Sequence, residues 1–300
     1  MTPATEEKRN QLKLFIDRVL ESEPAVQGVI AIGSMATGHM RPDSDIDAVI
    51  FLDPLELYIA PAEAIWRPET GSFHSILEDG VRGIRFDFTR LAWQQWSDPE
   101  FEWPENLRAE LSAGWIAYDP SGEARRLIAR GTVYPEALRL ARLDEALVLL
   151  DQLLNWDVPH EIWDTLGPPI AHDRLEAAYV YLVQALFAYN RRWHSWRSRE
   201  MQTLLALPWL PEAFASQVLT TANAPDLDYA GYVARRDRLR ALFDGLLARL
   251  VAAGDYSATP IDQAFIRKHE EPGRSWNIDE WNKFHQARSI PHNGKPEVTP

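Results

Sequence analysis

The sequence predicts an α+β fold: a small mixed β-sheet domain with flanking helices, followed by an all-helical domain. Between residues 25 and 118, apolar residues fall in short runs or alternate with polar ones, the period of strands. After about residue 121 they recur at three- and four-residue spacing, the period of helices. Pro, Gly and Asn breakers separate the segments in both halves. The expected division is a sheet domain over 1–121, a helical domain over 122–256 and a C-terminal extension or tail over 257–300.

Taken in order, residues 6–21 carry Leu12, Phe15, Ile16, Val19 and Leu20 on one helical face, which predicts a first helix. Residues 25–32 read as a buried strand ending at Gly33-Ser34, and residues 46–52 as a second, stopped by Asp53-Pro54. Residues 72–77 and 81–91 flank Glu78-Asp79-Gly80, a turn signal that predicts a hairpin. In the second arm Ile84, Phe86 and Phe88 alternate with Arg85, Asp87 and Thr89, so the three polar residues share a face. Residues 114–118 are a further short strand. Helices are expected over 138–156, 173–192, 200–207, 211–220 and 232–253.

Composition narrows the function classes. At 300 residues with 46% apolar and 11% aromatic content the chain can bury a substantial core. It has no leader-like start and no apolar run long enough to span a bilayer, so a soluble cytoplasmic protein without a membrane partner is expected. No cysteine is present, so any metal must be held by oxygen or imidazole. The net charge of −13 disfavours nucleic acid as a partner without excluding it, because it repels phosphate backbones. His39, His74, His172 and His194 show no metal-ligand spacing, and P-loop, dinucleotide and nucleophile-elbow motifs are absent.

Chemistry concentrates in residues 33–47, GSMATGHMRPDSDID. Gly33 and Ser34 follow a strand and open a short helix, so backbone amides and a hydroxyl can meet a phosphate. Asp45 and Asp47 are two apart at a strand start, with both carboxylates on one face and Ile46 turned to the core. Such a pair repels itself unless a cation joins it. A hard divalent ion takes carboxylate and phosphate oxygens together, and so neutralises charge developing in phosphoryl or nucleotidyl transfer. Each half alone is a common loop feature; in this order, with a strand on either side, the two point to one site.

This stretch resembles the G-S…S-D-x-D signature of the nucleotidyltransferase superfamily of the DNA polymerase β type, and is nearest in layout to its antibiotic-modifying members. The resemblance covers about the first 120 residues. It implies that Gly33, Ser34 and Ser44 bind a nucleoside triphosphate, that Asp45 and Asp47 ligate Mg²⁺, and that a third carboxylate, Asp87, is a metal ligand or general base. Glu78 is the alternative third carboxylate. The implied reaction moves a nucleoside monophosphate, AMP from ATP first, to a hydroxyl of a small molecule such as an aminoglycoside. The rivals are transfer to a macromolecule, a tRNA end or a protein side chain, and a catalytically silent nucleotide-binding module.

A looser likeness to the substrate domain of aminoglycoside nucleotidyltransferases covers Tyr189-Asn190-Arg191-Arg192-Trp193-His194. Members of that group often place a lysine on the triphosphate. No lysine occurs here between Lys13 and Lys268, so Arg191 and Arg192 are the substitutes considered, against a simpler role at a helix C-terminus. A second basic pair, Arg197 and Arg199, follows. Asp173, Glu176 and Tyr181 on the long helix are candidates for a cationic acceptor, against a solvated acidic first turn. The 12 tryptophans, among them Trp193, Trp196, Trp276 and Trp281, read first as packing residues.

Overall fold

The computed structural model describes residues 1–56, 63–67, 72–79, 84–224 and 226–269. It divides into two compact units, Met1–Tyr134 with Trp193–Met201, and Pro135–Arg192 with Gln202 onward. The first unit thus runs past the expected change of period at 121 and reclaims a later stretch of chain.

In the first unit, helix α1 (Pro3–Phe15) is capped by the Thr2 side chain, which accepts from the Thr5 amide, and continues through a π-helical turn, Ile16–Leu20. Then follow β1 (Val26–Ala31), α2 (Gly33–Thr37), β2 (Ile46–Leu52), β3 (Glu63–Arg67), β4 (Ser72–Asp79), β5 (Ile84–Ala92), α3 (Trp93–Ser97), α4 (Glu105–Ser112), β6 (Trp115–Tyr118) and α5 (Glu123–Gly131). Among the described residues six strands form one mixed sheet in the order β3-β4-β5-β2-β1-β6. Only the central pair, β2 and β5, is parallel. β4 runs through Asp79, so Glu78 lies in a strand opposite Arg85 and not in the expected turn; residues 80–83 lie outside the described residues. The short elements β3, α3 and α4 carry no strong periodic signal and were not expected.

Alternation along β2 and β5 divides two cores. Ile46, Ala48, Ile50, Phe86 and Phe88 turn to one face and pack with Leu12, Ile16, Leu20 and Met35. Val49, Phe51 and Leu91 turn to the other, against Trp96, Trp103, Leu107, Leu111 and Leu127. Each fully buried side chain of this size contributes about 1.5–3 kcal/mol, which fixes the strand faces, since a one-residue slip would exchange them. The second face is apolar only in part. Toward the start of β2 it carries Asp47, with Arg85, Asp87 and Thr89 beside it on β5.

The second unit contains α6 (Glu136–Leu154), α7 (Pro159–Leu166), α8 (Pro168–Tyr189), α10 (Phe214–Ala222), α11 (Tyr229–Ala252) and α12 (Pro260–His269); α9 (Glu200–Leu205) begins in the stretch that belongs to the first unit. α8 starts five residues before the expected Asp173. Gly167, at φ +85°, turns the chain and Pro168 and Pro169 occupy first-turn positions, where proline opens a helix instead of breaking it. Asp173 therefore lies beyond the first turn, and the helix-dipole explanation for it does not apply. α8 ends at Tyr189, so Arg191 (φ +52°) and Arg192 lie beyond the helix. α12 was not expected either; residues 270–300, with Trp276 and Trp281, lie outside the described residues. No described helix is long and apolar enough to cross a membrane.

α12 is joined to α6 through a buried carboxylate. Asp144 on α6 accepts from the Tyr256 hydroxyl at 2.6 Å and from Arg267 Nε and Nη2 at 2.9 and 2.8 Å. The Arg267 guanidinium also lies 4.5 Å over the Tyr256 ring. Burial, together with Asp144, pushes the Tyr256 phenol well above its ordinary pKa, so the phenol stays protonated and keeps donating. Replacing Asp144 by Ala leaves a half-buried guanidinium and a buried hydroxyl without their acceptor, and is expected to destabilise the protein by about 2 kcal/mol. Urea unfolding of the variant measures this; a loss below about 1 kcal/mol would show that the carboxylate does not hold α12.

Candidate active site

Asp45 immediately precedes β2 and Asp47 is its second residue, while Asp87 is the direct partner of Asp47 in the parallel β2–β5 ladder. The three carboxyl groups lie together at one end of the sheet, with side chains 43%, 29% and 22% exposed for Asp45, Asp47 and Asp87. Each has a basic partner. Arg85 Nε is 3.6 Å from Asp45, Arg199 Nη2 is 3.4 Å from Asp47, and His74 Nε2 is 2.9 Å from Asp87. These contacts do not fully offset the crowding. Burial pushes the Asp47 carboxyl up to about 6 against the pull of Arg199, and the charges of Asp87 and Asp45 add to the rise. Burial also raises Asp87, with Asp45 adding and His74 and Arg85 opposing.

The turn after β1 lies beside this cluster. The Ile32 amide donates to the Asp47 carbonyl at 3.0 Å, which ties the turn to β2. Gly33 then adopts φ +62°, a conformation suited to glycine, and opens the short helix α2. Its amide donates to Glu110 Oε2 at 3.0 Å. The Arg199 guanidinium packs directly over Gly33, where any Cβ would collide with it, and lies 3.8 Å from Glu110. Glu110 thus presents an oxyanion to the turn, the kind of partner a phosphate would be. Ser34 is half-buried in α2, and the Ser44 hydroxyl accepts from the Arg41 amide at 3.0 Å, closing the turn before Asp45.

The remaining expected site residues belong to the helical unit. Arg191 pairs with Glu136 at 3.2 Å and Arg192 is exposed. Glu176 is held by the buried Arg235 at 2.9 Å, Asp173 is exposed and Tyr181 is half-buried, all on α8. The side chain of Glu78 lies outside the described residues. Four residues at the acid cluster had no assigned role: Arg85, Arg199, His74 and Glu110. Arg199 belonged to a basic cluster with Arg191, Arg192 and Arg197, His74 lacks metal spacing, and Glu110 falls in a stretch with no expected element. Only Arg85 carried a signal, its shared face with Asp87.

The donor set fits a hard divalent cation by type. Three carboxylates from adjacent strands share one end of the sheet, and burial together with the charges of Asp87 and Asp45 disfavours the ionised form of Asp47, a penalty that a divalent ion would relieve. Among the described residues no group of three or more acidic or imidazole side chains stands so as to hold a metal ion; Arg85, Arg199 and His74 pair with the three carboxylates.

Asp47 gives a pH signature. Its folded-state pKa is raised, so the favourable contribution of its protonated form is complete below about 4 and is lost as pH rises through about 6. In the presence of a chelator, Asp47→Asn is therefore expected to be more stable than the parent by about 1–2 kcal/mol at pH 8, the difference shrinking towards pH 4.5. Denaturant melts at the two pH values check this, and a difference independent of pH would refute a raised Asp47.

The family model described as "Nucleotidyltransferase domain" matches residues 12–89. No curated protein matches the chain. Among solved structures, a nucleotidyltransferase-like protein from Exiguobacterium sibiricum is similar at 10% identity and a TM-score of 0.38, over 91% of this chain and 83% of its own. A TM-score at that level carries no argument, and the family match reaches residues 12–89 alone. It spans the Gly33 turn and all three carboxylates, and this chain carries a nucleotidyltransferase domain over residues 12–89.

Proposed function

We propose that the protein transfers a nucleoside monophosphate, AMP from ATP first, to a hydroxyl group of a small molecule in a Mg²⁺-dependent reaction that releases pyrophosphate. The observation that carries this reading is the three-carboxylate cluster beside an amide turn already engaged with an oxyanion. Asp45 and Asp47, with Asp87 beside them, would hold the cation, which when bound supplies charge neutralisation at the reacting phosphate. The Gly33 amide and the Ser34 hydroxyl bind the phosphates, and Ser44 holds the turn that presents Asp45. Arg199, poised over Gly33, adds a guanidinium to the phosphate oxygens, a role first considered for Arg191 and Arg192. Asp87 takes the proton from the acceptor hydroxyl, and His74 fixes the orientation of its carboxyl group.

The helical region is proposed as the substrate domain, with Asp173, Glu176 and Tyr181 as contacts for a cationic acceptor such as an aminoglycoside. The support for such an acceptor is the net charge of −13, which draws polycations and repels tRNA. ATP as donor implies the cytoplasm as the working compartment.

Asp45→Asn and Asp47→Asn are each expected to cut turnover about a hundredfold or more at saturating Mg²⁺ with the far-UV circular dichroism unchanged. Arg199→Ala is expected to raise KM for ATP about tenfold, the loss of one charged phosphate contact. Release of pyrophosphate with labelled ATP measures both, and parental turnover in either aspartate variant sinks the reading.

A further inference from the structure

The second unit contains a cleft of about 700 Å³ where the last turns of α11 meet the start of α12. None of the roles above uses it. Its walls are aliphatic: Leu247 and Val251 of α11 line it together with Pro260 and Ile261 of α12. Two carboxylates complete the lining, Asp151 of α6 and Asp262 of α12. The volume falls within the roughly 300–1,000 Å³ of ligand pockets, and an apolar wall with a few polar groups is the usual composition of such a site.

The charge of this cleft is not met from within. Asp151 stands in the last turn of α6, the end at which the helix carbonyls already make the potential negative and an acid is disfavoured. That turn has no basic residue. The Asn155 and Trp156 side chains donate to Asp151 at 2.8 Å each, but both are neutral and leave its charge in place. Two arginines at these helix ends are spent elsewhere. Arg236 donates to the Leu154 carbonyl, and Arg249, in the last turn of α11, lies 5.8 Å over the Tyr189 and Trp209 rings. Asp262 in the first turn of α12 suits the positive end of that helix, an explanation that does not extend to Asp151. Among the described residues no cation pairs with either acid. Two acids and the carbonyl ends of two helices around an aliphatic wall are complementary to a cation carried on an apolar body. A second copy of the chain would bring the same acids and a net charge of −13 to the cleft, so its charge disfavours self-association there.

We propose that this cleft binds an amphipathic organic amine, with its ammonium group between Asp151 and Asp262 and its apolar body on Leu247, Val251 and Ile261. No aromatic ring lines the cleft, so ring faces do not hold the cation and N–H donors to the carboxylates must. Each carboxylate oxygen of Asp151 keeps a lone pair beyond the one given to Asn155 or Trp156. The ligand is therefore a primary or secondary amine, not a quaternary ammonium. The site lies wholly in the second unit and does not depend on the nucleotidyl-transfer reading.

Isothermal titration calorimetry on the full chain tests this with ethylamine, butylamine, hexylamine and octylamine, against octanol, octanoate and octyltrimethylammonium. Affinity is expected to rise about two- to fourfold for each added methylene of the amine. Octanol and octanoate are expected to bind at least about tenfold more weakly than octylamine, and octyltrimethylammonium more weakly as well. Asp151→Asn and Asp262→Asn are each expected to weaken octylamine about tenfold. Val251 is 38% exposed, so Val251→Arg can fold while placing a bulky cation in the cleft; it is expected to abolish octylamine binding without lowering the thermal midpoint. No saturable binding of any amine, an affinity flat across the series, octanoate as tight as octylamine, or octylamine binding intact in Val251→Arg overturns the site. Sedimentation velocity checks the other occupant: a dimer that Val251→Arg dissolves, in a protein that ignores the amines, assigns the cleft to a second copy and rejects the proposal.

Discussion

Repulsion among three carboxylates is the constraint around which the first unit is arranged. Parallel pairing of β2 with β5 sets Asp47 opposite Asp87, about 5 Å apart in backbone spacing, and Asp45 shares their end of the sheet. Two such charges at an effective dielectric near 20 repel by about 3 kcal/mol, comparable with burying one large apolar side chain. The alternation that buries Ile46, Ala48 and Phe88 on one face leaves the acids no other direction, so their charge must be met where they stand. Arg85, His74 and Arg199 meet it in part, and the Asp47 carboxyl stays raised, by burial first and by the charges of Asp87 and Asp45 after it.

Those partners differ in how the chain supplies them. Arg85 and His74 come with the strands that build the sheet, so their positions follow from pairing alone. Arg199 arrives from far along the sequence, on a stretch that needs its own anchors. Trp193 Nε1–H donates to the Thr132 carbonyl at 2.8 Å, its ring packs on Tyr134, and the Arg108 guanidinium lies 5.0 Å over it. His194 and Glu200 bond at 2.8 Å across the turn, and the Arg199 amide closes onto the Trp196 carbonyl. A loosening of Trp193 would therefore be felt at Asp47, although the tryptophan touches neither acid nor phosphate turn.

This difference also explains what was legible in the sequence. Short-range patterns carried the central strands, the Gly33 turn, the face shared by Arg85 and Asp87, and the change to helical period. All of these follow from spacing within a dozen residues. Gly167-Pro168-Pro169 was read as a break, although proline in a first turn opens a helix, and α8 began five residues early. Glu110, His74 and Arg199 became meaningful only through contacts with residues 77, 13 and 152 positions away in the chain. No local period encodes such a contact, and each residue type is an ordinary surface one when read alone.

The contacts of Glu110 and Arg199 also bear on how a nucleotide would be recognised. Glu110 offers the Gly33 amide a carboxylate oxygen, and Arg199 offers Asp47 a cation, so the turn and the acid are both satisfied by groups of the chain itself. An incoming phosphate would exchange with one oxyanion and an incoming cation with one guanidinium, like for like. Net binding energy then comes only from what the exchange improves: a higher charge on the cation than arginine carries, and more oxygens on the phosphate than one carboxylate offers. Selectivity follows from the same comparison, because a ligand that brings the phosphate without the cation leaves the repulsion among Asp45, Asp47 and Asp87 in place and adds to it. The two should therefore bind together, each lowering the cost of the other.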